Sequence, residues 1–333
     1  MKRLFALALL LSATPAYAGF VTFDVPGGNT YAASVNDDGT VSGYVGPASG
    51  PETSYVRAPD GTVTTYQIVP GQLTIAWGIN AAGTVTGNYA NAKGKIRGFT
   101  RAANGTVRRF SMHGVTELDG LAISQTGIVT GVWRDTSAIL HGFVRALDGS
   151  FASFDAPGGE GTLPEAINAK ATVVGSSEDG SLAGHGFLRA ADGTLTTFDV
   201  DGAGDGFGQG TFPLSINRKG DVAGVYADRH DVNHGFLRRA SGTIKAFDVP
   251  GATNASPAAI NAAGDIAGSY HDDAGLVHGF LRKADGTFQT FDVPGAGTQS
   301  GRGTFVNGLN DGGVVVGWIY DDQQGTHGFV GTP

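Results

Sequence analysis

Apolar and polar positions alternate along most of the chain in short runs, and the same runs return at a fixed interval. The clearest copies read EAINAKATVVG with HGFLRAADGTLTTFDV (165–175 and 185–200) and AAINAAGDIAGSYHD with HGFLRKADGTFQTFDVPG (258–272 and 278–295). Two positions each occur seven times, and at the first of them, the Ile-Asn position, successive copies lie 44 or 49 residues apart. The Ile-Asn position falls at Asn36, Asn80, Ser124, Asn168, Asn217, Asn261 and Asn310, and the Phe-Asp position at Phe23, Tyr66, Phe110, Phe154, Phe198, Phe247 and Phe291. A repeat of this length indicates one structural unit used seven times.

Each repeat predicts four short strands. In the copy 258–295 they cover 258–260, 265–270, 278–282 and 287–293, where β-branched and aromatic residues alternate between Gly and Asp. The segments 261–264 (NAAG) and 283–286 (KADG) are predicted hairpin turns, in which Gly supplies a positive φ and Asn or Asp bonds back to the backbone. No stretch of 19–333 has convincing helical periodicity.

Four antiparallel strands repeated seven times are typical of a seven-bladed β-propeller, an all-β fold. The alternative is a β-solenoid, whose coils are shorter and usually lack two hairpins per repeat. The last repeat predicts strands near 306–309, 314–320 and 327–330 and has no fourth strand, whereas 20–25 is an unassigned strand. We therefore expect the N-terminal strand to complete the last blade and close the ring, with 19–333 as a single domain.

The first 18 residues lie outside the repeat and are typical of a secretory signal peptide. A basic start (Lys2, Arg3) precedes the apolar run 4–11 and the small-x-small site 16–18, which predicts cleavage before Gly19. The apolar run is shorter than the roughly 20 residues of a membrane-spanning helix. The chain has no cysteine, so it is held by packing and is not a lipoprotein. We expect a bacterial protein that is secreted, periplasmic or at the cell surface, and not inserted in the membrane after cleavage.

The formal charge is −8, and loss of Lys2 and Arg3 makes it −10. An acidic protein of this kind argues against nucleic acid or an anionic membrane as the partner. The 55 glycines reflect turns at fixed offsets of the repeat. We expect a monomer whose ligand is a glycan or a protein.

A His-Gly-Phe motif, a tight turn and Thr-Phe-Asp-Val-Pro-Gly, alternating with the Ile-Asn segment, resemble the bacterial extracellular HAF-repeat proteins. The motif stands at His141, His185, His234, His278 and His327, each followed by Gly-Phe, whereas the first two copies have 53–55 (TSY) and 97–99 (RGF). The resemblance covers essentially all of 19–333. It implies export and a propeller-like repeat, and it brings no activity and no catalytic residues.

Polar residues that recur across the repeats are expected to have a structural role before a functional one. The five histidines belong to third strands, far from the axis, and are expected to form structural hydrogen bonds. An aromatic residue two positions before an acid or amide recurs at the end of the second strand, and suits either sugar binding or packing beside an Asx turn. These pairs are Tyr89 and Asn91, Trp133 and Asp135, Tyr226 and Asp228, Tyr270 and Asp272, and Tyr320 and Asp322.

Residues that break the repeat are better candidates for a site. The long connections, between second and third strands and between repeats, share one face of a propeller, which we call the long-loop face; the hairpin turns share the opposite, tight-turn face. Candidate ligand-binding residues there are Trp77, Glu165, Asp205, Arg302, Trp318 and Trp133. No metal or cofactor is assigned, although Asp199, Asp201 and Asp205 in a Gly-rich loop could hold Ca²⁺ weakly.

The sequence lacks the Gly-x-Ser-x-Gly, His-Glu-x-x-His and phosphate-loop patterns, and no catalytic residue is assigned. We therefore expect a binding or structural module that meets a glycan, a protein or a surface polymer on the long-loop face. The alternative is a hydrolase or lyase acting on a polysaccharide through axial carboxylates such as Glu165 and Asp205.

Overall fold

The computed structural model describes residues 19–333, in which every helix or strand is a β-strand. The predicted signal peptide lies outside the described residues. The 28 strands are β1 (Gly19–Phe23), β2 (Asn29–Val35), β3 (Val41–Gly46), β4 (Thr53–Arg57), β5 (Val63–Tyr66), β6 (Thr74–Ile79), β7 (Val85–Ala90), β8 (Ile96–Arg101), β9 (Val107–Phe110), β10 (Glu117–Ile123), β11 (Val129–Arg134), β12 (Leu140–Arg145), β13 (Phe151–Phe154), β14 (Gly161–Ile167), β15 (Val173–Glu178), β16 (Gly184–Arg189), β17 (Leu195–Phe198), β18 (Gly210–Ile216), β19 (Val222–Ala227), β20 (Asn233–Arg238), β21 (Ile244–Phe247), β22 (Asn254–Ile260), β23 (Ile266–His271), β24 (Val277–Arg282), β25 (Phe288–Phe291), β26 (Gly303–Leu309), β27 (Val315–Tyr320) and β28 (Thr326–Thr332).

Neighbouring strands pair antiparallel in groups of four, so the predicted all-β architecture is confirmed. We number the groups units 1 to 7: β2–β5, β6–β9, β10–β13, β14–β17, β18–β21, β22–β25, and β26–β28 with β1. In unit 7 the fourth strand comes from the other end of the chain, because β1 pairs with β28 along its whole length, from Gly19 opposite Thr332 to Phe23 opposite Gly328.

The first strands of units 6 and 7 are longer than predicted. In unit 6 the first strand begins at Asn254, four residues before the predicted start at Ala258. Pro257 lies beside a β-bulge between Pro257 and Ala259, where a missing N–H is tolerated. Pro164 and Pro213 occupy the same position of units 4 and 5.

The His-Gly-Phe motif builds the core of each unit. Its aromatic ring is completely buried in all seven units, at Tyr55, Phe99, Phe143, Phe187, Phe236, Phe280 and Phe329. The preceding glycine leaves room for the fourth-strand ring, since a Cβ at Gly142 would lie 2.5 Å from Phe154 Cζ. The arginine that ends the third strand lies over the fourth-strand ring of the preceding unit, as Arg189 does 5.0 Å from the Phe154 centroid. The repeat therefore encodes packing between units as well as within them.

The asparagine of the Ile-Asn position joins neighbouring units on the tight-turn face. Its Oδ1 accepts backbone N–H groups of its own turn, as predicted; Asn261 accepts from Gly264 and Asp265. Its Nδ2 also donates to the backbone carbonyl of the equivalent residue in the next unit. Six such bonds of 2.9–3.4 Å form what we call the amide ring, with donors Asn36, Asn80, Asn168, Asn217, Asn261 and Asn310. Ser124 has no amide, so the step from unit 3 to unit 4 lacks this bond.

The two five-residue insertions lie in connections between units, as expected, at 199–209 and 292–302. Each inserted loop ends at a glycine that forms a parallel bridge to the third strand of the preceding unit, Gly210 with Gly184 and Gly303 with Val277. At Gly303, φ is +129° and a Cβ would lie 1.9 Å from the Val277 carbonyl oxygen, so this approach requires glycine.

Candidate functional site

Every first strand contains a β-bulge at the same position of the repeat, three residues before the Ile-Asn position. An extra residue in one strand redirects its side chain out of the regular pleat. The bulged residues are Ala33, Trp77, Leu121, Glu165, Leu214, Ala258 and Asn307. These positions carry dissimilar side chains, although the bulge itself is repeated in every unit.

Five of the bulged residues line one cavity of about 470 Å³, which we call the axial cavity. Its lining residues are Ala33, Trp77, Leu121, Leu163, Glu165 and Asn307. They come from the first strands of units 1, 2, 3, 4 and 7, so the cavity lies where these innermost strands meet. Of the predicted candidates, Trp77 and Glu165 are the two that line this cavity. The sequence interpretation missed Ala33, Leu121 and Asn307, which share the repeat position of the other two.

Trp77 connects this cavity to a run of half-buried aromatic rings in units 7, 1 and 2. Its indole Nε1 donates to Asn88 Oδ1 at 2.7 Å, which fixes the ring. From Trp77 the run continues through Tyr44, Tyr31, Trp318 and Phe305, with centroid distances of 5.7, 4.9, 5.5 and 3.9 Å between successive rings. Trp318 thus belongs to the same aromatic system as Trp77 without lining the cavity.

Glu165 is the one titratable residue among those lining the cavity. Burial raises the pKa of its carboxyl group to about 7. No side chain or backbone group of residues 19–333 forms a hydrogen bond or ion pair with that carboxyl group, so nothing offsets the loss of water. Near neutral pH the carboxyl group can therefore either donate a hydrogen bond, when protonated, or accept one, when ionised.

The Glu165→Gln variant should be more stable than the unaltered protein above pH 7 and nearly equal to it at about pH 5. Because the folded-state pKa is raised, the folded protein binds this proton more tightly than the unfolded chain, and that contribution is lost as pH rises through about 7. Denaturant unfolding at about pH 5 and pH 8.5 measures the difference. Glu178→Gln, at an exposed glutamate of the paired strand, is the control. An equal effect of Glu165→Gln at both pH values would contradict the assignment.

The structure places the other candidates away from the axial cavity. Asp205 is exposed in the loop between β17 and β18, where its backbone carbonyl accepts a hydrogen bond from Ser181. Arg302 donates to the Asp321 carbonyl at 2.8 Å and lies 5.2 Å from the centroid of Tyr320. Neither residue lines the cavity with Glu165, so Glu165 and Asp205 do not form a carboxylate pair across it.

The histidines lie within their units, each between two aspartates. His185 Nδ1 is 3.1 Å from Asp199, which follows the fourth strand, and its Nε2 is 3.4 Å from Asp179 in the loop after the second strand. Burial opposes protonation of His185, but the bonds to Asp199 and Asp179 outweigh it and raise the histidine pKa. His141, His234, His278 and His327 have the same two partners in their units. The predicted structural role of these histidines is confirmed, and we call the arrangement the Asp-His-Asp trio.

The recurring aromatic residues pack on these histidines. Trp133 stacks on His141 at 4.1 Å and donates its Nε1 to Ser153, while Tyr226 and Tyr270 stack on the histidines of their own units. The acids begin Asx turns, as Asp135 does by accepting the Ser137 and Ile139 N–H groups. These contacts favour packing over sugar binding for this pattern.

In unit 7 the predicted pair of Tyr320 and Asp322 was wrong by one residue. Ile319 is the residue opposite His327, and Asp321 is the acid that holds this histidine. Asp322 instead accepts hydrogen bonds from the backbone N–H and hydroxyl group of Thr298. A second acid directly after Asp321 made the shifted alignment look equally good.

Residues 19–333 contain no cluster of three or more His, Asp or Glu side chains arranged to hold a metal ion. Asp199 is bonded to His185, while Asp201 and Asp205 are exposed. The same part of the chain has no helix with the length and apolar character needed to cross a membrane.

No protein-family model matches the chain, and no curated protein is found as a relative by sequence. The structure is similar to virginiamycin B lyase from Staphylococcus aureus, with 15% identity, a TM-score of 0.57, and coverage of 94% of this chain and 98% of that one. Puromycin hydrolase has 13% identity and a TM-score of 0.61 over 93% of this chain and 53% of its own. TolB from Acinetobacter baumannii has 14% identity and a TM-score of 0.51 over 76% and 63%. At these identities the likeness concerns the fold alone, a repeated β-propeller.

Proposed function

We propose that the protein is an exported binding module, a closed seven-bladed β-propeller whose axial cavity receives part of a neutral glycan. Export rests on the signal-peptide pattern of residues 1–18, a basic start, a short apolar run and a small-x-small site. The single observation that carries the ligand assignment is the axial cavity, in which the otherwise repeated first strands place dissimilar side chains.

Closure of the ring is supported by three contacts between the two ends of the described chain. The strand β1 completes unit 7 by pairing with β28. Asn310 Nδ2 donates to the Asn36 carbonyl at 2.9 Å, which continues the amide ring from unit 7 to unit 1. The Arg57 guanidinium lies 5.0 Å from the centroid of Phe23, repeating the contact seen between other neighbouring units. In the proposed ring, each of the seven units has a neighbour on both sides.

The chemistry of the axial cavity suits a sugar better than a charged ligand. Trp77, Leu121 and Leu163 offer apolar surface for the C–H faces of a pyranose ring. The Glu165 carboxyl group and the Asn307 amide add hydrogen-bonding groups that can orient hydroxyl groups. No Lys, Arg or His lines the cavity, so it has no cation to neutralise an anionic ligand.

The same geometry ranks binding above catalysis. Hydrolysis of a glycosidic bond usually needs two carboxylates on opposite sides of the bond. Glu165 is the one carboxyl group lining the cavity, and Asp205 lies in a loop between units 4 and 5. A hydrolase or lyase remains the second candidate, because Glu165 with a pKa of about 7 has the protonation behaviour of a general acid.

A glycan array probed with the full chain, followed by titration of the best neutral oligosaccharide, tests this function. We expect Trp77→Ala to weaken binding by roughly tenfold or more, about 1.4 kcal/mol, through loss of ring stacking. Leu214→Ala is the matched control, because Leu214 occupies the same bulge in unit 5 but does not line the cavity. Binding that Trp77→Ala leaves unchanged, or no neutral glycan bound by the folded protein, would reject the proposal. Product release that Glu165→Gln abolishes would establish the enzymatic alternative.

A further inference from the structure

The charge of the protein is strongly segregated. No Asp or Glu occurs between Asp60 and Glu117, and this stretch contains six basic residues, Lys93, Lys95, Arg97, Arg101, Arg108 and Arg109. Residues 19–333 contain 20 Lys and Arg against 30 Asp and Glu, a net charge of −10, so the rest of that range carries −16. The six cations lie on β8, on β9 and in the loop before β8, which is the outer half of unit 2. Unit 2 (74–110) is therefore the one described unit with no acidic residue and carries +6, whereas unit 5 (210–247) sets six basic residues against three acidic ones.

These six cations have no carboxylate partners within the described chain. The ion pairs that Lys and Arg form there involve other side chains, namely Arg134, Arg218, Arg239, Lys283 and Arg302. Lys93, Lys95, Arg108 and Arg109 are exposed. Positive charge that is not neutralised by the protein's own acids is available to an anion from outside.

Unit 2 also replaces all three members of the Asp-His-Asp trio. Asn91, Arg97 and Ser111 stand where unit 3 has Asp135, His141 and Asp155, 44 residues later in each case. Asn91 Oδ1 still accepts the Lys93 and Lys95 N–H groups, so the Asx turn is retained. The change therefore keeps the backbone and exchanges two carboxylates and a histidine for one permanently charged guanidinium.

The three residues that replace the trio, Asn91, Arg97 and Ser111, line a surface hollow that contains three guanidinium groups. Arg97, Arg109 and Arg145 line it together with Asn91 and Ser111, and its volume is about 460 Å³. Arg97 is held by donating to the Ile96 and Thr116 carbonyls at 2.6 and 3.0 Å, and Arg109 by donating to the Ile68 carbonyl at 2.7 Å. Burial and the nearby charge of Arg108 lower the pKa of Arg145, and the Asp148 carboxylate acts in the opposite direction. Arg97 and Arg109 have no carboxylate partner in the described chain, so the like charges gathered here favour the entry of an anion.

A second hollow adjoins the first and extends the basic surface toward unit 1. It is lined by Tyr89, Asn91, Lys93 and Arg109 with Val69 and Pro70, and its volume is about 430 Å³. Tyr89, Asn91 and Arg109 line both hollows, so the two form one groove along the outer strands of unit 2. A groove of this kind accepts a single extended chain.

We propose that this groove binds the carboxylate groups of an anionic polysaccharide, at a site separate from the axial cavity. Arginine is suited to carboxylates because its planar fork forms paired hydrogen bonds with both oxygens. Single-stranded nucleic acid is disfavoured, since it is held by stacking on exposed rings, whereas Tyr89 and Phe110 in the groove are only 6% and 7% exposed. A rigid duplex would extend beyond one unit to a surface whose charge is −16.

The test measures binding of an oligogalacturonate to the full chain, with neutral dextran and a single-stranded DNA oligonucleotide as comparisons. The Arg109→Thr variant restores the residue found at this position in units 1, 4 and 6, as Thr65, Thr197 and Thr290. We expect it to weaken oligogalacturonate binding on the order of tenfold. Lys245→Thr is the matched control, because it removes one exposed cation from the fourth strand of unit 5.

The triple variant Asn91→Asp, Arg97→His and Ser111→Asp rebuilds the trio of units 3 to 7 and should abolish binding while keeping the melting temperature. If the triple variant is unstable, the Arg109→Thr variant alone tests whether the groove binds oligogalacturonate. Trp77→Ala should leave oligogalacturonate binding unchanged, which separates this site from the proposed function. Equal binding of dextran, or an equal loss in Lys245→Thr and Arg109→Thr, would overturn the proposal. Tighter binding of the DNA oligonucleotide than of the oligogalacturonate would overturn the proposal and assign a nucleic acid as the ligand of this groove.

Discussion

Deletion of residues 19–25 should lower the midpoint of thermal unfolding by on the order of 10 °C or more. The deletion removes the fourth strand of unit 7 and two aromatic anchors. Phe20 stacks on Phe291 of unit 6 at 4.8 Å, and Phe23 contacts Tyr55 of unit 1 with a centroid distance of 6.0 Å. It also removes Asp24, which holds His327 at 2.6 Å. One short strand thus supports three units at once.

Thermal melting of the truncated chain beside two point variants measures this effect. Phe23→Ala should cost about 3 kcal/mol, because it removes the ring beneath Arg57 and beside Tyr55. Val21→Ala is the control on the same strand, since Val21 is 44% exposed and its truncation should change little. A truncated chain that melts like the full chain would refute the closed ring.

The Gly175→Ala variant should be destabilised by about 3 kcal/mol, the second large effect. Gly175 pairs with Pro164 beside the bulge of unit 4, and an added Cβ would lie 2.0 Å from the Leu163 carbonyl oxygen. Backbone cannot move away as a flexible side chain can, so the strand carrying Leu163 and Glu165 must shift. Glycine occupies this second-strand position in every unit: Gly43, Gly87, Gly131, Gly175, Gly224, Gly268 and Gly317.

Gly161→Ala provides the matched control within the same pair of strands. A Cβ at Gly161 would lie 4.0 Å from Leu140 Cβ, which is an ordinary contact. Its effect on the unfolding free energy should stay within about 0.5 kcal/mol. Denaturant unfolding of the two variants gives both values. Similar stabilities for Gly175→Ala and Gly161→Ala would mean that the second-strand glycine is not required for the close approach of the strands.

The repeat made most of the fold predictable because strand and turn signals recur in several copies. The turn glycines show this directly, since Gly264 and Gly286 have φ values of 98° and 97°. Contacts between repeats are not encoded by a pattern within one repeat. The sequence of its own repeat predicts Asn261 as a turn residue, and nothing in that repeat indicates that its Nδ2 also donates to the Asn310 carbonyl of the next unit.

Residues of the candidate site were predictable only where their side chains are unusual for a first strand. Trp77 and Glu165 were recognised because a large aromatic and an acid are conspicuous on first strands. Ala33 and Leu121 were not, because aliphatic residues on a strand are expected in a core, and only the bulge shows that they line the cavity. Asp205 and Arg302 also broke the repeat, but the inserted loops that carry them have local structural roles.

The net charge of the chain also gave no indication of the basic groove. The total of −8 is a sum over the chain and argues against polyanions only if charge is spread evenly. The exchange at Asn91, Arg97 and Ser111 is a coordinated departure from one repeat, visible when equivalent positions are compared across units. Comparing equivalent positions of the seven units is therefore more informative here than the overall composition.

In the proposed closed ring, the missing amide at Ser124 marks the boundary between units that is easiest to open. Every other boundary between units is spanned by an asparagine side chain, so opening the ring there would strand a donor and a carbonyl. New chain termini in the connection 155–160, between units 3 and 4, would interrupt no such bond. A circularly permuted protein or an inserted guest domain is best accommodated at this seam.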